Sequence, residues 1–311
     1  MESNRANLEV FSETVANLAE SDPNIFVVTS DSRGSAKLAS FGESYPNQII
    51  EVGIAEQNLV GVSAGLASTG KKVFAVSPAC FLTARSLEQI KNDIAYSDNP
   101  VNVIGISGGV SYGALGTTHH SLHDIAVLRA INNIKIILPA DNFETRESIK
   151  QSAASDCPIY IRFGKKPMQN IHQAETRFKI GKAITVREGE DVAFIATGET
   201  VYPAVLAAKK LSEIGISASV ISMHTIKPFD HDTLFKTAKS CRALITVEEH
   251  SIYGGLGEAC ASSLLESGIH IPFKRVGFPD EYTVTGNQNE IFDHYGISES
   301  GLTKLAESLL K

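Results

Sequence analysis

The sequence has no apolar run long enough to cross a bilayer, and its N-terminus lacks the basic and then apolar order of a signal peptide. We therefore expect a cytoplasmic protein that does not enter a membrane. The net charge of -7, with no block of lysine and arginine, argues against nucleic acid as the main partner. Any bound anion would have to be bound by basic or polar groups close to it, because the chain as a whole is acidic.

Signals for disulfides, zinc and the familiar nucleotide loops are missing as well. The four cysteines are widely spaced without a Cys-x-x-Cys pair, which favours reduced thiols. Neither Gly-x4-Gly-Lys-[Ser/Thr] nor Gly-x-Gly-x-x-Gly occurs, so nucleotide binding through these loops is unsupported. An anion could sit at residues 197–200, but an ordinary strand-to-helix turn explains that segment more simply.

What the chain does contain is a regular alternation of short apolar strands and amphipathic helices over 311 residues. Continuous apolar strands predict an α/β fold with mainly parallel sheets covered by helices on both faces. The predicted strands are residues 25–29, 73–76, 101–106, 134–138, 159–162, 192–196, 218–223, 243–247 and 273–276. A polar, uneven segment interrupts the pattern after residue 164, so we predict a domain at 1–168, a linker at 169–180 and a second α/β domain at 181–311.

Residues 51–69 form the most informative stretch, because a β-branched, turn-like segment leads into a helix with Glu56 in its first turn. An acid there can simply complement the positive helix N-terminus. Gly61 and Gly65, however, each cost about 1 kcal/mol relative to alanine in a helix. Because they share one face, they indicate a close approach by a ligand or a partner helix, or else a tight crossing within the chain.

A glycine-rich loop with three histidines spans residues 113–124. His119 and His123 could share a helical face, but no His-Glu-x-x-His surrounds them and no third ligand is evident, so we predict no metal site. His120 and His123 fit structural histidines. His119 ends the part of the loop that is rich enough in glycine to let a substrate approach.

Six segments, in this order along the chain, resemble the C-terminal half of transketolases. They are residues 52–58 (Val-Gly-Ile-Ala-Glu-Gln-Asn), 81–85, 116–120 (Gly-Thr-Thr-His-His), 138–141, 224–228 and 247–250. The resemblance implies a pyrimidine-binding domain for thiamine diphosphate followed by a transketolase C-terminal domain. Deoxyxylulose phosphate synthases and the β subunits of 2-oxoacid dehydrogenases share this architecture, but the Gly-x-Thr-His-His loop resembles transketolases most.

The resemblance also implies roles for single residues. Glu56 would hydrogen-bond N1′ of the cofactor's aminopyrimidine, and burial among apolar neighbours would raise its pKa so that it can share a proton with the ring. Phe81 would stack on the pyrimidine, and His119 would lie beside the substrate oxygens. Arg162 matches an arginine that holds the sugar phosphate with its planar fork, and Ser35 falls near the same phosphate.

Two departures from the common transketolase pattern concern the substrate. Leu115 and Ala114 occupy the region where transketolases usually have an acidic residue that recognises a hydroxyl of the donor sugar. Ser107 stands where they usually have a substrate-binding histidine. Ser107 thus marks a substrate-binding position whose residue type differs from the common pattern. We expect two-carbon ketol transfer from an unusual or branched ketose phosphate, such as apulose 4-phosphate, to an aldose phosphate.

The largest departure is the lack of the Gly-Asp-Gly segment with which transketolases bind the diphosphate of the cofactor through Mg2+. The resemblance therefore implies a separate N-terminal (α) subunit that supplies this domain, in an α2β2 assembly with self-associated β chains. Two other functions remain open at this point. One is a β subunit of a 2-oxoacid dehydrogenase, and the other is a non-catalytic scaffold or regulatory subunit.

Overall fold

A computed structural model describes residues 5–173 and 175–311 of the chain. Residues 1–4, at the start of the first predicted domain, and Ala174, within the predicted linker, lie outside the described residues. Two sheets with helices packed against them make up the described structure. The predicted class, two successive α/β units with mainly parallel sheets, is confirmed.

The first sheet has seven strands in the order β10-β5-β6-β4-β3-β1-β2. Its strands are β1 (Ile25–Thr29), β2 (Ile49–Glu51), β3 (Lys72–Pro78), β4 (Asn102–Ile106), β5 (Lys135–Ile137), β6 (Ile159–Arg162) and, from the second half of the chain, β10 (Thr225–Lys227). All pairs are parallel except β10 with β5. The inner strands are buried on both faces, which is why their sequences are continuously apolar.

Helices cover both faces of this sheet and bury its apolar side chains in two clusters. They are α1 (Asn7–Ser21), α2 (Ala39–Ser44), α3 (Glu56–Ser68), α4 (Ala79–Arg85), α5 (Leu87–Gln89), which continues as a π-helix over Ile90–Tyr96, α6 (Asp124–Arg129) and α7 (Asn142–Ala153). The short helices α2 and α4 were not expected from the sequence, because six or seven residues show too little periodicity.

The second sheet has five strands in the order β12-β11-β8-β9-β7, with only β7 antiparallel to its neighbour. Its strands are β7 (Ile184–Arg187), β8 (Val192–Ala196), β9 (Ala218–Ser222), β11 (Ala243–Ser251) and β12 (Phe273–Phe278). Its helices are α8 (Val201–Glu213), α9 (His231–Ser240), α10 (Leu256–Glu266), α11 (Gln288–His294) and α12 (Glu299–Leu310). No helix among these or the other described residues is long and apolar enough to span a membrane.

The carboxyl edge of the first sheet gathers the segments that matter for function. Chain segments leave β2 towards α3, β3 towards α4, β4 towards the glycine-rich loop and β6 towards the linker. Because β3, β4 and β6 are neighbours in the sheet, the segments that follow them are neighbours too. Ligand sites of open parallel sheets lie at this edge.

Candidate active site

Glu56 lies at the first position of α3, as the sequence predicted, and only 4% of it is exposed. Its Oε1 accepts a hydrogen bond from Arg85 Nη1 at 2.8 Å. The side chain of Arg85 is about half exposed, so the buried carboxylate of Glu56 is paired with a cation that is itself accessible to solvent. The surroundings of Glu56 are therefore not the purely apolar pocket that the sequence suggested.

Phe81 and Arg85 lie four residues apart on α4, which places both side chains on one face of that helix. The guanidinium carbon of Arg85 lies 4.4 Å from the centre of the Phe81 ring, in cation–π geometry. Arg85 thus contacts both residues that the resemblance assigned to the pyrimidine. Arg85 lies in one of the six transketolase-like segments but has no role predicted from the sequence, although its helical spacing from Phe81 is a signal for this contact.

His119 lies in the loop after β4 and meets Phe81 edge to face, with 5.3 Å between ring centres. A second edge-to-face contact of 5.3 Å joins it to Tyr112 in the same loop. Thr118 Oγ1 lies 3.0 Å from His119 Nδ1, which leaves the other ring nitrogen available for a ligand. Gly116 has a φ of 71°, a backbone conformation that side-chain-bearing residues rarely adopt, and this turn brings His119 back towards Phe81.

Lys165 completes the arrangement, because its Nζ lies 4.5 Å from the centre of the Tyr112 ring. We call this continuous series of contacting side chains the site row. In order, its members are Glu56, Arg85, Phe81, His119, Tyr112 and Lys165. Arg85 and Phe81 follow β3 in the chain, His119 and Tyr112 follow β4, and Lys165 follows β6. The site row therefore has the same order as these three neighbouring strands.

Arg162 does not join the site row in this structure, and the phosphate-binding role expected for it stays a prediction. It is 5% exposed, and its Nη1 donates to Asp124 Oδ1 at 3.1 Å while Nη2 donates to the Glu249 carbonyl at 2.9 Å. Burial disfavours its charge, but the carboxylate of Asp124 outweighs this and raises the pKa of Arg162. A buried guanidinium held in this way binds the two halves of the chain together, so contact with a phosphate would require it to leave these partners.

The two candidate serines also differ from expectation. Ser107 is fully buried beneath the loop after β4, with a φ of 54°, so contact with a substrate would require rearrangement of that loop. Its assignment to the substrate site stays a prediction. Ser35 is exposed in the turn that follows β1, and among the described residues no hydrogen bond or ion pair joins it to the site row. Its phosphate role stays a prediction.

Buried carboxylates from the second half of the chain support the loop that carries His119 and Tyr112. Glu249 Oε1 accepts from the Val110 amide at 2.9 Å and from Gln288 Nε2 at 2.7 Å, and the same Gln288 nitrogen donates to Glu199 at 2.7 Å. Burial and the nearby Glu199 raise the pKa of Glu249 to about 7. These residues lie behind the site row and fix its loop, which is a structural role.

His120 anchors the same loop from within. Its Nδ1 lies 2.9 Å from Thr283 Oγ1, and its Nε2 lies 2.9 Å from the Gly113 carbonyl. Burial lowers the pKa of this histidine, which favours the neutral ring. Both ring nitrogens are thus engaged, and this fits a structural histidine.

Comparison with known proteins agrees with this geometry. The transketolase pyrimidine-binding domain matches residues 4–169, and the transketolase C-terminal domain matches residues 181–302. The chain belongs to the transketolase family. The membership predicted from six short segments is confirmed.

Several transketolase relatives match along nearly their whole length. A subunit of the apulose-4-phosphate transketolase of Phocaeicola vulgatus is 48% identical, with 97% of this chain and 96% of the relative covered. The corresponding apulose-4-phosphate transketolase chain of Actinobacillus succinogenes is 40% identical, with 91% of each chain covered. A solved structure described as a split gene transketolase, inactive beta4 tetramer, has a TM-score of 0.90 and 32% identity, covering 98% of both chains. This chain is therefore similar to the C-terminal subunits of split transketolases.

Transketolases depend on thiamine diphosphate, and the site row fits one end of that cofactor. A buried carboxylate beside a half-buried aromatic ring suits an aminopyrimidine, which offers a ring nitrogen and a flat apolar face. The charged end has no such match here. Across residues 5–173 and 175–311, no group of three or more His, Cys, Asp or Glu side chains could hold a metal ion.

Proposed function

We propose that the chain is the C-terminal subunit of a two-chain transketolase that moves a two-carbon ketol unit from a ketose phosphate to an aldose phosphate. The observation that carries the proposal is the ordered contact from Glu56 through Arg85 and Phe81 to His119. It joins an acid and an aromatic ring for the cofactor to a histidine for the substrate. The matches to split-transketolase subunits over 91–97% of the chain support the same conclusion.

Glu56 holds the pyrimidine in this proposal by hydrogen-bonding its N1′. When bound, thiamine diphosphate supplies a nucleophilic carbon and an electron sink for cleavage beside the ketose carbonyl. Arg85 occupies an oxygen of Glu56 in the present structure, so it must yield that oxygen or share the carboxylate with the ring nitrogen. Since half of the Arg85 side chain is exposed, little packing resists its movement.

His119 binds and orients the donor. Its ring, fixed between Phe81 and Tyr112, can donate to or accept from the donor's carbonyl and hydroxyl oxygens. The neighbouring residues Ala114 and Leu115 are both exposed, with Leu115 at 55%, and they offer no hydrogen bond from their side chains. An apolar surface at this place favours a donor that is branched or lacks a hydroxyl there, and apulose 4-phosphate meets that description of a branched donor.

A partner subunit supplies the diphosphate and Mg2+ end of the cofactor in this proposal. The outward face of α3 supports a docking surface, because a Cβ added at Gly61 or Gly65 would meet nothing within 4 Å among the described residues. Ile54, directly before α3, is 73% exposed although it is apolar. The inactive beta4 tetramer of the similar split transketolase supports β chains that associate with each other and need an α chain for activity, as in an α2β2 assembly.

The test mixes this chain with the matching α subunit, thiamine diphosphate and Mg2+, and follows ketol transfer from a panel of ketose phosphates. The panel contains apulose 4-phosphate and D-xylulose 5-phosphate, and each chain alone serves as a control. We expect activity only in the mixture, with the branched donor preferred. Turnover of a 2-oxoacid without sugar transfer would replace the proposal by the dehydrogenase function, and inactivity with both substrates would favour the scaffold.

A further inference from the structure

Tyr112 lies between His119 and Lys165 in the site row, and the proposed function uses only its ring. We propose that the hydroxyl of Tyr112 donates a hydrogen bond to a hydroxyl oxygen of the donor sugar, on the aldose side of the bond that is cleaved. The inference rests on the proposed function, since it names a residue of that site that selects the donor. The sequence alone does not set Tyr112 apart from the rest of the chain's 8 tyrosines.

The loop after β4 offers few polar side-chain groups to a sugar. Its other hydroxyl side chains are engaged with protein groups, Ser111 with the Gly108 carbonyl, Thr117 with Thr283 and Thr118 with His119. Within residues 108–119, all of which the structure describes, this leaves two groups for a ligand. They are the second ring nitrogen of His119 and the hydroxyl of Tyr112.

The surroundings of the Tyr112 hydroxyl place it inside the site. Burial raises the pKa of Tyr112, the hydroxyl of Ser107 partly offsets this, and the thiol of Cys80 raises it further. Ser107 directly follows β4 and Cys80 lies at the start of α4, so the phenol oxygen is near the carboxyl ends of β3 and β4. Because the pKa is raised, the phenol keeps its proton at neutral pH and can donate it to a sugar oxygen.

The ring of Tyr112 is held in one position. His119 meets it edge to face at 5.3 Å, and Lys165 Nζ lies 4.5 Å from its centre. The next residue, Gly113, has a φ of 53°, and a Cβ added there would lie 2.5 Å from the carbonyl oxygen of Gly286. Ring and backbone are therefore fixed, and a hydroxyl on a fixed ring loses little conformational freedom when it binds a ligand.

The order of the site row indicates which part of the donor reaches Tyr112. In the proposed function, Glu56 and Phe81 hold the pyrimidine, and His119 contacts the region of the carbonyl. Tyr112 is the next member beyond His119, so it meets the carbons that leave as the aldose. The groove of about 630 Å³ that Tyr112 lines gives these carbons room. Ala114 lines the same groove but offers no hydrogen bond from its side chain, so the phenol supplies the polar contact.

The experiment compares Tyr112→Phe, Tyr112→Leu and Tyr45→Phe, each assembled with the α subunit, thiamine diphosphate and Mg2+. Phenylalanine keeps the ring and removes only the hydroxyl, whereas leucine removes both. Tyr45 is the matched control, because it is also partly buried and lies 5.3 Å from another aromatic ring, that of Phe41. It precedes β2 and therefore lies at the opposite edge of the parallel sheet.

D-xylulose 5-phosphate and apulose 4-phosphate serve as sugar donors. Hydroxypyruvate is the reference donor, because it carries the same two-carbon unit without hydroxyl groups beyond it. The measured quantity is kcat/KM for a sugar donor divided by kcat/KM for hydroxypyruvate, with one fixed acceptor. We expect Tyr112→Phe to lower this ratio by about 3- to 10-fold, the effect of one hydrogen bond between uncharged groups. Tyr112→Leu should lower it at least as far, and Tyr45→Phe should leave it at the wild-type value.

The outcomes separate the two proposals. A wild-type ratio in Tyr112→Phe, in an assembly that does transfer ketol units, would overturn the hydrogen bond and leave the proposed function standing, whatever Tyr112→Leu does. If the wild-type assembly transfers nothing from any sugar phosphate, the proposed function fails, and calorimetric titration of the same assemblies with D-xylulose 5-phosphate then tests Tyr112 alone. The same titration decides if hydroxypyruvate is not a donor. Weaker binding by Tyr112→Phe than by wild type would support the role of the hydroxyl, and equal binding, or none by wild type, would overturn it.

Discussion

At the scale of single residues, Glu56 is the group on which the proposed chemistry depends. It is buried at the start of a helix, and its charged partner Arg85 also lies over the ring of Phe81. Few structural needs explain an acid placed in this way, because burial of a carboxylate is unfavourable without a compensating contact. The contact with Arg85 reaches it from the half-exposed side, where a ligand would also enter.

Glu56→Gln should lower kcat of the assembled enzyme by about 10²- to 10⁴-fold, the range for loss of a positioned proton-transfer group. The amide keeps the size of the side chain but cannot share a proton with a pyrimidine nitrogen in the same way. Steady-state kinetics at saturating thiamine diphosphate measure the effect. Glu88→Gln, an exposed acid on α5, is the control, and full activity in Glu56→Gln would contradict the assignment.

Leu115→Asp should shift the preference among donor sugars towards D-xylulose 5-phosphate. The new carboxylate can accept a hydrogen bond from a hydroxyl of that sugar, whereas a leucine side chain cannot. Since Leu115 is largely exposed, the free energy of unfolding should change by less than about 0.5 kcal/mol. The ratio of kcat/KM for D-xylulose 5-phosphate and apulose 4-phosphate measures the shift. Leu115→Asn tests whether polarity alone suffices, and an unchanged ratio in both variants would remove this residue from donor selection.

At the scale of secondary-structure elements, α3 combines a site residue with two glycines that lower its helix propensity. Its first turn places Glu56, while Gly61 and Gly65 leave part of its surface without side chains. A tight crossing inside the chain was one explanation left open by the sequence. Within residues 5–173 and 175–311 it is not found around these glycines, because nothing there lies within 4 Å of an added Cβ. The described residues therefore show no close contact that would offset the destabilising effect of these two helical glycines.

Gly61→Ala should have opposite effects on the isolated chain and on the assembly. Alone, the chain should gain about 0.5–1 kcal/mol in free energy of unfolding, because alanine is the better helix former and meets no clash. The bulkier Gly61→Leu should weaken association with the α subunit, since it fills the surface that a partner would approach. Urea denaturation and sedimentation velocity measure the two effects, and unimpaired assembly of Gly61→Leu would exclude this face from the interface.

At the scale of the whole molecule, the segment between the two family matches is fastened to α7. Glu144 on that helix accepts from His172 Nε2 at 2.8 Å and from Ser222 Oγ of β9 at 2.6 Å. One buried carboxylate thus holds the connecting segment and both halves of the chain together. Burial opposes the charge of His172, but its hydrogen bond to Glu144 and the nearby Asp141 raise its pKa.

This contact predicts a pH dependence of stability. Because the pKa of His172 is raised in the folded chain, its contribution is fully present below its unfolded pKa of about 6.5 and is lost as the pH rises through the folded value. The free-energy difference between wild type and His172→Gln should shrink as the pH is raised above about 6.5. Urea denaturation across that range measures it, with the exposed His270→Gln as control, while a constant difference would contradict the ion pair. His224, which also faces Glu144, carries a lowered pKa from burial and should stay neutral throughout.

Local patterns in the sequence determined much of this protein. The periodicity of residues 51–69 placed Glu56 in the first turn of α3, and continuous apolar strands such as β1, β6 and β8 were found at their observed limits. These features depend on neighbours within a few residues, which a sequence displays directly. The helix α4 escaped because seven residues hold only two helical turns, and the strand β10 escaped because three residues are too short for a recognisable apolar run.

Only the tertiary structure decided which polar groups meet. Arg162 turns inward because Asp124, 38 residues away along the chain, packs beneath it, and no local pattern announces such a partner. Lys165 reaches the site because β6 lies beside β4, an order fixed by the packing of the whole sheet. The sequence alone therefore determined the family, most of the elements and the acid at the start of α3. Long-range packing decided which side chains meet in the site row, since strand order and burial are properties of the assembled core.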